Sequence, residues 1–486
     1  MIIHNGGPLI SREELVLFPF DDYSIPFQNG VELQLVAHRT PFGQTKIVLG
    51  MGGEGAPDSE NVVYYGSVHK VGDELWMWYL GQGEDDEWFE RVCFAKSKDG
   101  YHWEKPNLGL VEYKGNKNNN LVDLNQGSHH VQACVVFYEP DDPERRFKMA
   151  FESRKYQIRF AAAYSADGLT WRESPNNPVG DWFEMAGGTK FNGRYHLTGQ
   201  GGNHGRARQL VTYVSYDFEH WAEASCRGFR RHNVPPRPVL SGGSVGSVGE
   251  QVHLGAALWN RGNVIIGFYG MWHGHPSDDR RLLTMDLGLV VTNDALHYRE
   301  PIPDFPIVAA AEDGSRLLPY GHTAEPFPAL MQGQGFENIG DETLFWYAPW
   351  PELDSDGVRV ASWPRDRLGY FHSYFTSRTM GRGLPHFVSA PIDLEGKPAR
   401  VLLNVDNLDE HSQVSVEVLD EQFLPIPGYG RESCLAPTSG GFRQPVKWQA
   451  HEVVENVDGP IRIRVNCGGL RPEDTKIYAV YVEVFS

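Results

Sequence analysis

The residues of this chain best suited to chemistry are glutamates placed just ahead of, or within, strand-like runs. Glu184 stands in Trp182-Phe183-Glu184-Met185-Ala186-Gly187-Gly188, between an aromatic pair and a glycine-rich stretch. Glu60 directly precedes Asn61-Val62-Val63-Tyr64-Tyr65, Glu250 opens Glu250-Gln251-Val252-His253, and Glu337 lies in Gln334-Gly335-Phe336-Glu337. Two carboxyl groups, one held protonated and one ionised, can do general acid/base work, and an acid wedged against aromatics is desolvated toward a proton donor's range. Glu184 is therefore the expected acid, and Glu60, Glu250 and Glu337 are candidates for the second carboxylate. Each has an ordinary alternative: a solvated rim, a charged loop beside Asp58-Ser59, or the polar lining of a wet channel.

The elements that would position these acids are announced by a recurring phrase. It runs Ser97-Lys98-Asp99-Gly100-Tyr101-His102-Trp103, Ser165-Ala166-Asp167-Gly168-Leu169-Thr170-Trp171 and Ser215-Tyr216-Asp217-Phe218-Glu219-His220-Trp221. A looser copy is Thr292-Asn293-Asp294-Ala295-Leu296-His297-Tyr298, and a decayed one spans Ala361 to Tyr370. Such spacing marks a radial array of four-stranded sheets, each needing the same turn at the same place. The reading is a five-bladed β-propeller over 51–378, with Asp-Gly as a two-residue hairpin turn and the phrase residues structural. Strand pairs precede each phrase, and the first strand of each pair is expected to line the channel.

Beyond about residue 380 the blade pattern gives way to turn formers and then to short alternating strands, which predicts a β-sandwich over 386–486. Residues 1–50 are read as a lead-in packed on the propeller that could supply a ring-closing strand. Within it Asp21 and Asp22, in Phe18-Pro19-Phe20-Asp21-Asp22-Tyr23, could cross the channel mouth, and Asp22 is taken as a substrate contact.

Blade two opens with Gly127-Ser128-His129-His130-Val131-Gln132, without an acid. Imidazole and amide groups can bond hydroxyls and tune a carboxylate, so His130 and Gln132 are candidate binding residues, as are His253 and Trp182. Trp259, Trp272, Trp346 and Trp350 are further stacking candidates, although most such rings are core. His273-Gly274-His275 with Asp278-Asp279 lacks a further ligand at fixed spacing, so no metal site is read from it.

Composition sets the bounds. The chain has 486 residues, 53 Gly and 13 Trp, and carries a formal charge of −19 with no basic cluster. That argues against nucleic acid and anionic membrane as partners. Five scattered cysteines form no CxxC, and no run of about twenty apolar residues or basic-then-apolar leader occurs. The expectation is a cytoplasmic protein, with oligomeric state open.

With these residues in view, Trp78-Tyr79-Leu80-Gly81, Cys93-Phe94-Ala95-Lys96-Ser97-Lys98-Asp99-Gly100 and Trp103-Glu104-Lys105-Pro106 resemble the blade signature of five-bladed propeller glycoside hydrolases related to families 32 and 43. The resemblance covers about residues 50 to 375. It implies a glycosidase acting on a carbohydrate through carboxylates from the inner strands. The Glu184 segment, followed by Asn192-Gly193-Arg194-Tyr195-His196-Leu197, resembles the part carrying the family's acid. The family 32 phrase Asn-Asp-Pro-Asn-Gly is absent, as are Arg-Asp-Pro in blade two and Glu-Cys in blade three. No cofactor is implied, although the resemblance leaves room for a hydrated calcium in the channel near His253. Two alternatives stay open. One is phosphorolysis, drawing on Arg206, Arg208, Arg280 and Arg281; the other is a carbohydrate-binding propeller without activity.

Overall fold

The computed structural model describes residues 10–38, 47–84, 90–200, 208–222, 226–231, 249–274, 283–310, 329–350, 356–374 and 383–485. Within them the chain is all-β, a five-bladed propeller followed by a β-sandwich, apart from short 3₁₀ turns. The inner strands of blades one to five are Asn61–Val71, Val131–Tyr138, Glu184–Phe191, Glu250–Asn260 and Leu330–Ile339. Each pairs antiparallel with the strand that follows it, so all five start at the same end of the channel. The outermost strand of blade five is Ile47–Gly50, which pairs with Gly357–Pro364 and closes the ring with a strand from the other end of the chain.

The rest of the lead-in packs on the propeller and also adds strands to the sandwich. Glu14–Leu17 pairs with Lys476–Val484, Phe27–Asn29 with His386–Val388, and Val31–Leu35 with Gly369–Ser373. These are sheets of the sandwich, whose other strands are Ala399–Asp406, Ser412–Leu419, Cys434–Leu435, Gly441–Trp448 and Arg462–Gly469. Alternating apolar residues explain both. Leu17 and Val31 pack with Phe371, Val401 and Val480 in the sandwich core, while Phe18 and Phe20 join a cluster containing Ile266 and Phe345 of the propeller.

The recurring phrase builds a longer turn than two residues. Ser97 pairs with Trp103 across it, so five residues make the reversal. Ser97 Oγ accepts from the amide of Gly100 at 2.9 Å, and Asp99 Oδ1 accepts from the amides of Tyr101 and His102 at 2.9 and 2.8 Å. Ser165 with Asp167 and Ser215 with Asp217 repeat these bonds. Side-chain acceptors thus replace the hydrogen bonds a tight hairpin would make. The residue after Asp has positive φ in four copies, including Phe218 (69°) and Ala295 (59°). Glycine at position 100 has a second reason: a Cβ there would meet Leu344 and Trp346 at 2.7 Å. Trp346 Nε1 donates to the Gly100 carbonyl and Trp78 Nε1 to that of Gly168, so each phrase is also a joint between blades.

Near the axis the inner strands are joined by side chains. Gln334 Oε1 accepts from the amides of Gly188 and Leu258, and its Nε2 donates to the Leu258 carbonyl at 2.6 Å, tying blade five to blades three and four. Ser67 Oγ accepts from the Val136 amide, and Thr198 Oγ1 donates to the Ala256 carbonyl. Gln334→Leu would strand three buried backbone groups, each costing about 1–3 kcal/mol. We expect a loss of at least about 3 kcal/mol, read as a lower urea midpoint at unchanged m-value; an unchanged midpoint would refute the bridging role.

Candidate active site at the start of the inner strands

Every inner strand is bulged a few residues after its start, between Val63 and Ser67, Val131 and Ala133, Met185 and Gly187, His253 and Ala256, and Gln332 and Phe336. A bulge breaks the alternation of faces and re-aims the side chains ahead of it. The first residues of all five strands therefore form a collar at one end of the channel, resting on the Gln334 bridge.

Glu184 is the first residue of its strand and pairs with Gln200, whose Nε2 lies 3.3 Å from Glu184 Oε2. It is half-buried, between half-buried Trp182 and buried Phe183 on one side and buried Met185 on the other. A second carboxyl group, which the sequence reading missed, stands beside it. Glu152, at the end of the second strand of blade two, is fully buried; its Oε1 accepts from the amide of Phe183 at 3.0 Å. Burial, reinforced by the charge of Glu184, raises its pKa well above the usual carboxylate range. Its only sequence signal was a glutamate directly after the apolar stretch Met149-Ala150-Phe151.

The other expected residues scatter. Glu60 precedes the inner strand of blade one at this same end, with an exposed side chain. Two residues earlier, buried Asp58 is clasped by Lys105 at 2.5 Å and Tyr79 at 2.6 Å, a structural pairing. Glu337 falls near the end of its strand, at the opposite mouth, where it lines a cavity of about 270 Å³ with Lys190, His69 and Trp259. It cannot meet Glu184, because eight residues of extended strand span the depth of a blade. Asp22 also lies away from the collar. It is exposed and paired with Arg299, which holds buried Asp21 as well, beside the phrase turn of blade four. The phrase turns follow strands that run away from the collar, so Asp21 and Asp22 do not cross that mouth.

Glu250 is at the collar but committed. Its Oε2 meets Arg231 at 2.6 Å and His273 Nδ1 at 2.7 Å, while His273 Nε2 meets Asp286 at 3.1 Å. Burial would lower the His273 pKa, but the bonds to Asp286 and Glu250 outweigh it and lift the imidazole to about 9. His130 Nε2 lies 3.0 Å from Arg91, and Gln132 is the extra residue of its bulge, half-buried. His253 is buried, its ring stacked on Trp272 and edge-on to Trp350. Trp272 and Trp346 are fully buried, so they are core and not platforms. Arg208 lies over the Trp272 ring, while Arg206, Arg280, Arg281, His275, Asp278 and Asp279 lie outside the described residues.

Glu90, at the junction of blades one and two, has its carboxyl raised to about 8 by burial. Next to it His129 joins Ser153 Oγ at 2.9 Å and Glu173 at 2.6 Å. That order of groups suits a nucleophile, but Ser153 is buried and its hydroxyl donates to the His130 carbonyl, so it is structural. Among the described residues no group of three or more His, Cys, Asp or Glu could hold a metal ion, and no helix is long and apolar enough to cross a membrane.

No family model matches the chain. Over 113 residues it is 34% and 33% identical to two uncharacterized proteins of Mycobacterium tuberculosis, matching 22% of this chain and 33% of each of theirs. It thus spans about a third of the length of the curated relatives it matches. Solved structures it is similar to include a glycosyl hydrolase from Bacteroides ovatus (14% identity, TM-score 0.42, 69% of this chain and 96% of that one). Another is a thermostable family-43 glycoside hydrolase (13%, 0.40, 67% and 92%). A third is the Bombyx mori GH32 beta-fructofuranosidase (10%, 0.38, 90% and 94%). Those activities are properties of those proteins.

The His273 clamp gives a signed prediction. A histidine pKa raised from 6.5 to about 9 stabilises the fold fully below pH 6.5, and that stabilisation is lost as pH rises through 9. The loss should be on the order of 2–3 kcal/mol between those limits. His273→Gln should flatten that slope in urea titrations at successive pH values; an equal slope in the variant would refute the clamp.

Proposed function

We propose that this protein cleaves glycosidic bonds at the collar, with Glu184 as general acid. The observation that carries the reading is the pairing of Glu184 with buried Glu152 at the start of blade three. Two carboxyl groups from adjacent blades, the buried one pushed well above the usual carboxylate range, stand at one end of a channel bridged below by Gln334. Glycoside cleavage needs a carboxyl proton donor against an oxocarbenium-like transition state, and Glu184 is the half-buried member of the two, open to a substrate. Among the other expected carboxylates, Glu250 is neutralised by Arg231 and His273, and Glu337 is at the wrong mouth. Glu60 shares the end with Glu184 and meets no described cation, so it is the carboxylate left to activate water. His130, Gln132 and Trp182 are half-buried around the same collar and suit the polar and apolar faces of a sugar. The substrate is accordingly a carbohydrate.

A panel of aryl furanosides and pyranosides would identify a substrate. Glu184→Gln keeps shape while losing the transferable proton, so turnover of a natural disaccharide should fall by roughly 10² to 10⁴. An activated aryl glycoside, whose leaving group needs less protonation, should lose less. Equal losses on both substrates at unchanged thermal stability would remove Glu184 from the acid role, and no cleavage across the panel would favour a binding propeller.

A further inference from the structure

Glu152 is an unusual residue to find at the joint between two blades. It is fully buried, flanked across its own sheet by Ala133 and Phe160, and its Oε2 has no hydrogen-bond partner among the described residues. A buried carboxylate ordinarily has a cation or several donors. Here the groups that could serve are committed elsewhere. His129 and Lys155, on the same blade, bond Glu173, and Arg159 on the adjoining strand donates to the Tyr156 carbonyl. From blade three come the exposed Asp181, the amide of Phe183 and Glu184; from the strand behind Glu184 comes neutral Gln200. Among the described residues the charge that bears on Glu152 is that of Glu184, of its own sign.

We propose that Glu152 and Glu184 form a one-proton carboxyl pair, in which Glu152, as a positioning residue, keeps Glu184 supplied with a proton through the neutral pH range. Two carboxyl groups that feel each other's charge, one of them buried, resist ionising together and titrate as a unit. The first proton leaves the pair readily. The second is held, because its loss would put two like charges at one blade joint, one without any donor for its Oε2. The hydrogen bond from Phe183 fixes the geometry, since that amide belongs to the residue preceding Glu184. The catalytic consequence rests on the reading of Glu184 as acid; the shared proton does not.

Two measurements separate these claims. Difference infrared spectroscopy at pH 7.5 of the wild-type protein against Glu152→Gln should show the loss of one carbonyl stretch of a buried protonated carboxyl group, distinct from the band that Glu90 contributes to both. In Glu184→Gln the same band should persist but disappear at a lower pH, because the neighbouring charge is gone. On a cleaved substrate, Glu152→Gln should move the alkaline limb of kcat/KM down by about one pH unit or more while activity on the acid side survives. No carbonyl band lost between the wild-type protein and Glu152→Gln at pH 7.5, or an alkaline limb that stays put, would overturn the pair. If no glycoside is cleaved, the infrared result still decides the pair, and only the functional reading fails.

Discussion

The whole molecule depends on how five inner strands are held together without a sixth to pair with. Each blade leaves the inner edge of its first strand facing the channel, and the unpaired amides and carbonyls there must find partners. Apart from a parallel bridge of Gln334 with Ser67 between blades five and one, the inner strands do not pair with one another among the described residues. This protein supplies the partners from side chains: Ser67 for the amide of Val136, Glu152 for that of Phe183, Thr198 for the carbonyl of Ala256, and Gln334 for three groups at once. Gln332 does likewise for the carbonyls of His253 and Gly255. Close approach of the strands is the price of the arrangement, and it explains the glycines at 187 and 333, where a Cβ would lie within 2.3 to 2.4 Å of a neighbouring blade.

The same constraint makes the site. Side chains that stitch the blades sit at fixed depth, so the bulges above them present the first residues of each strand as a collar. Glu184 owes its place to this, and Glu152 serves both purposes as stitch and as buried acid. A carboxyl group is a costly choice for a joint that needs only an acceptor, since a glutamine oxygen would accept from the Phe183 amide without the burden of ionisation. That this joint uses a carboxyl group, and that it does so beside Glu184, ties its chemistry to the collar.

Much of the architecture was legible because it is written in local terms. The phrase repeats because Ser and Asp side chains must cap the same amides in every blade, and the aromatic after it must fill the next joint, as Trp103 does against Trp346. The sandwich was legible in its alternation of faces. What escaped the sequence was long-range. Nothing local says that Val31–Leu35 pairs with Gly369–Ser373, or that Arg299 waits for Asp21 and Asp22. Glu337 was misplaced because its strand begins at Leu330, four residues ahead of Gln334, which puts Glu337 near the far end and so at the other mouth. Glu152 was invisible for the opposite reason: it sits in a second strand, where the argument from channel-lining strands does not look.

The sandwich is bound to the propeller through the decayed fifth phrase, and the decay has a physical reading. Asp366 keeps the position of the phrase aspartate, but its carboxylate turns outward to Arg261 of blade four, Asn338 of blade five and Tyr481 of the sandwich. Burial would raise its pKa, yet Arg261 and these hydrogen bonds lower it, so the group stays charged in a nearly dry site. A capping aspartate of the usual kind could not make these contacts while also bonding the amides of its own turn. The fifth phrase therefore lost its local pattern because the residue was recruited to a three-way contact, which is why blade five, closed by a strand from the N-terminal segment and anchored by one from the C-terminal domain, is the blade that joins the two halves of the fold.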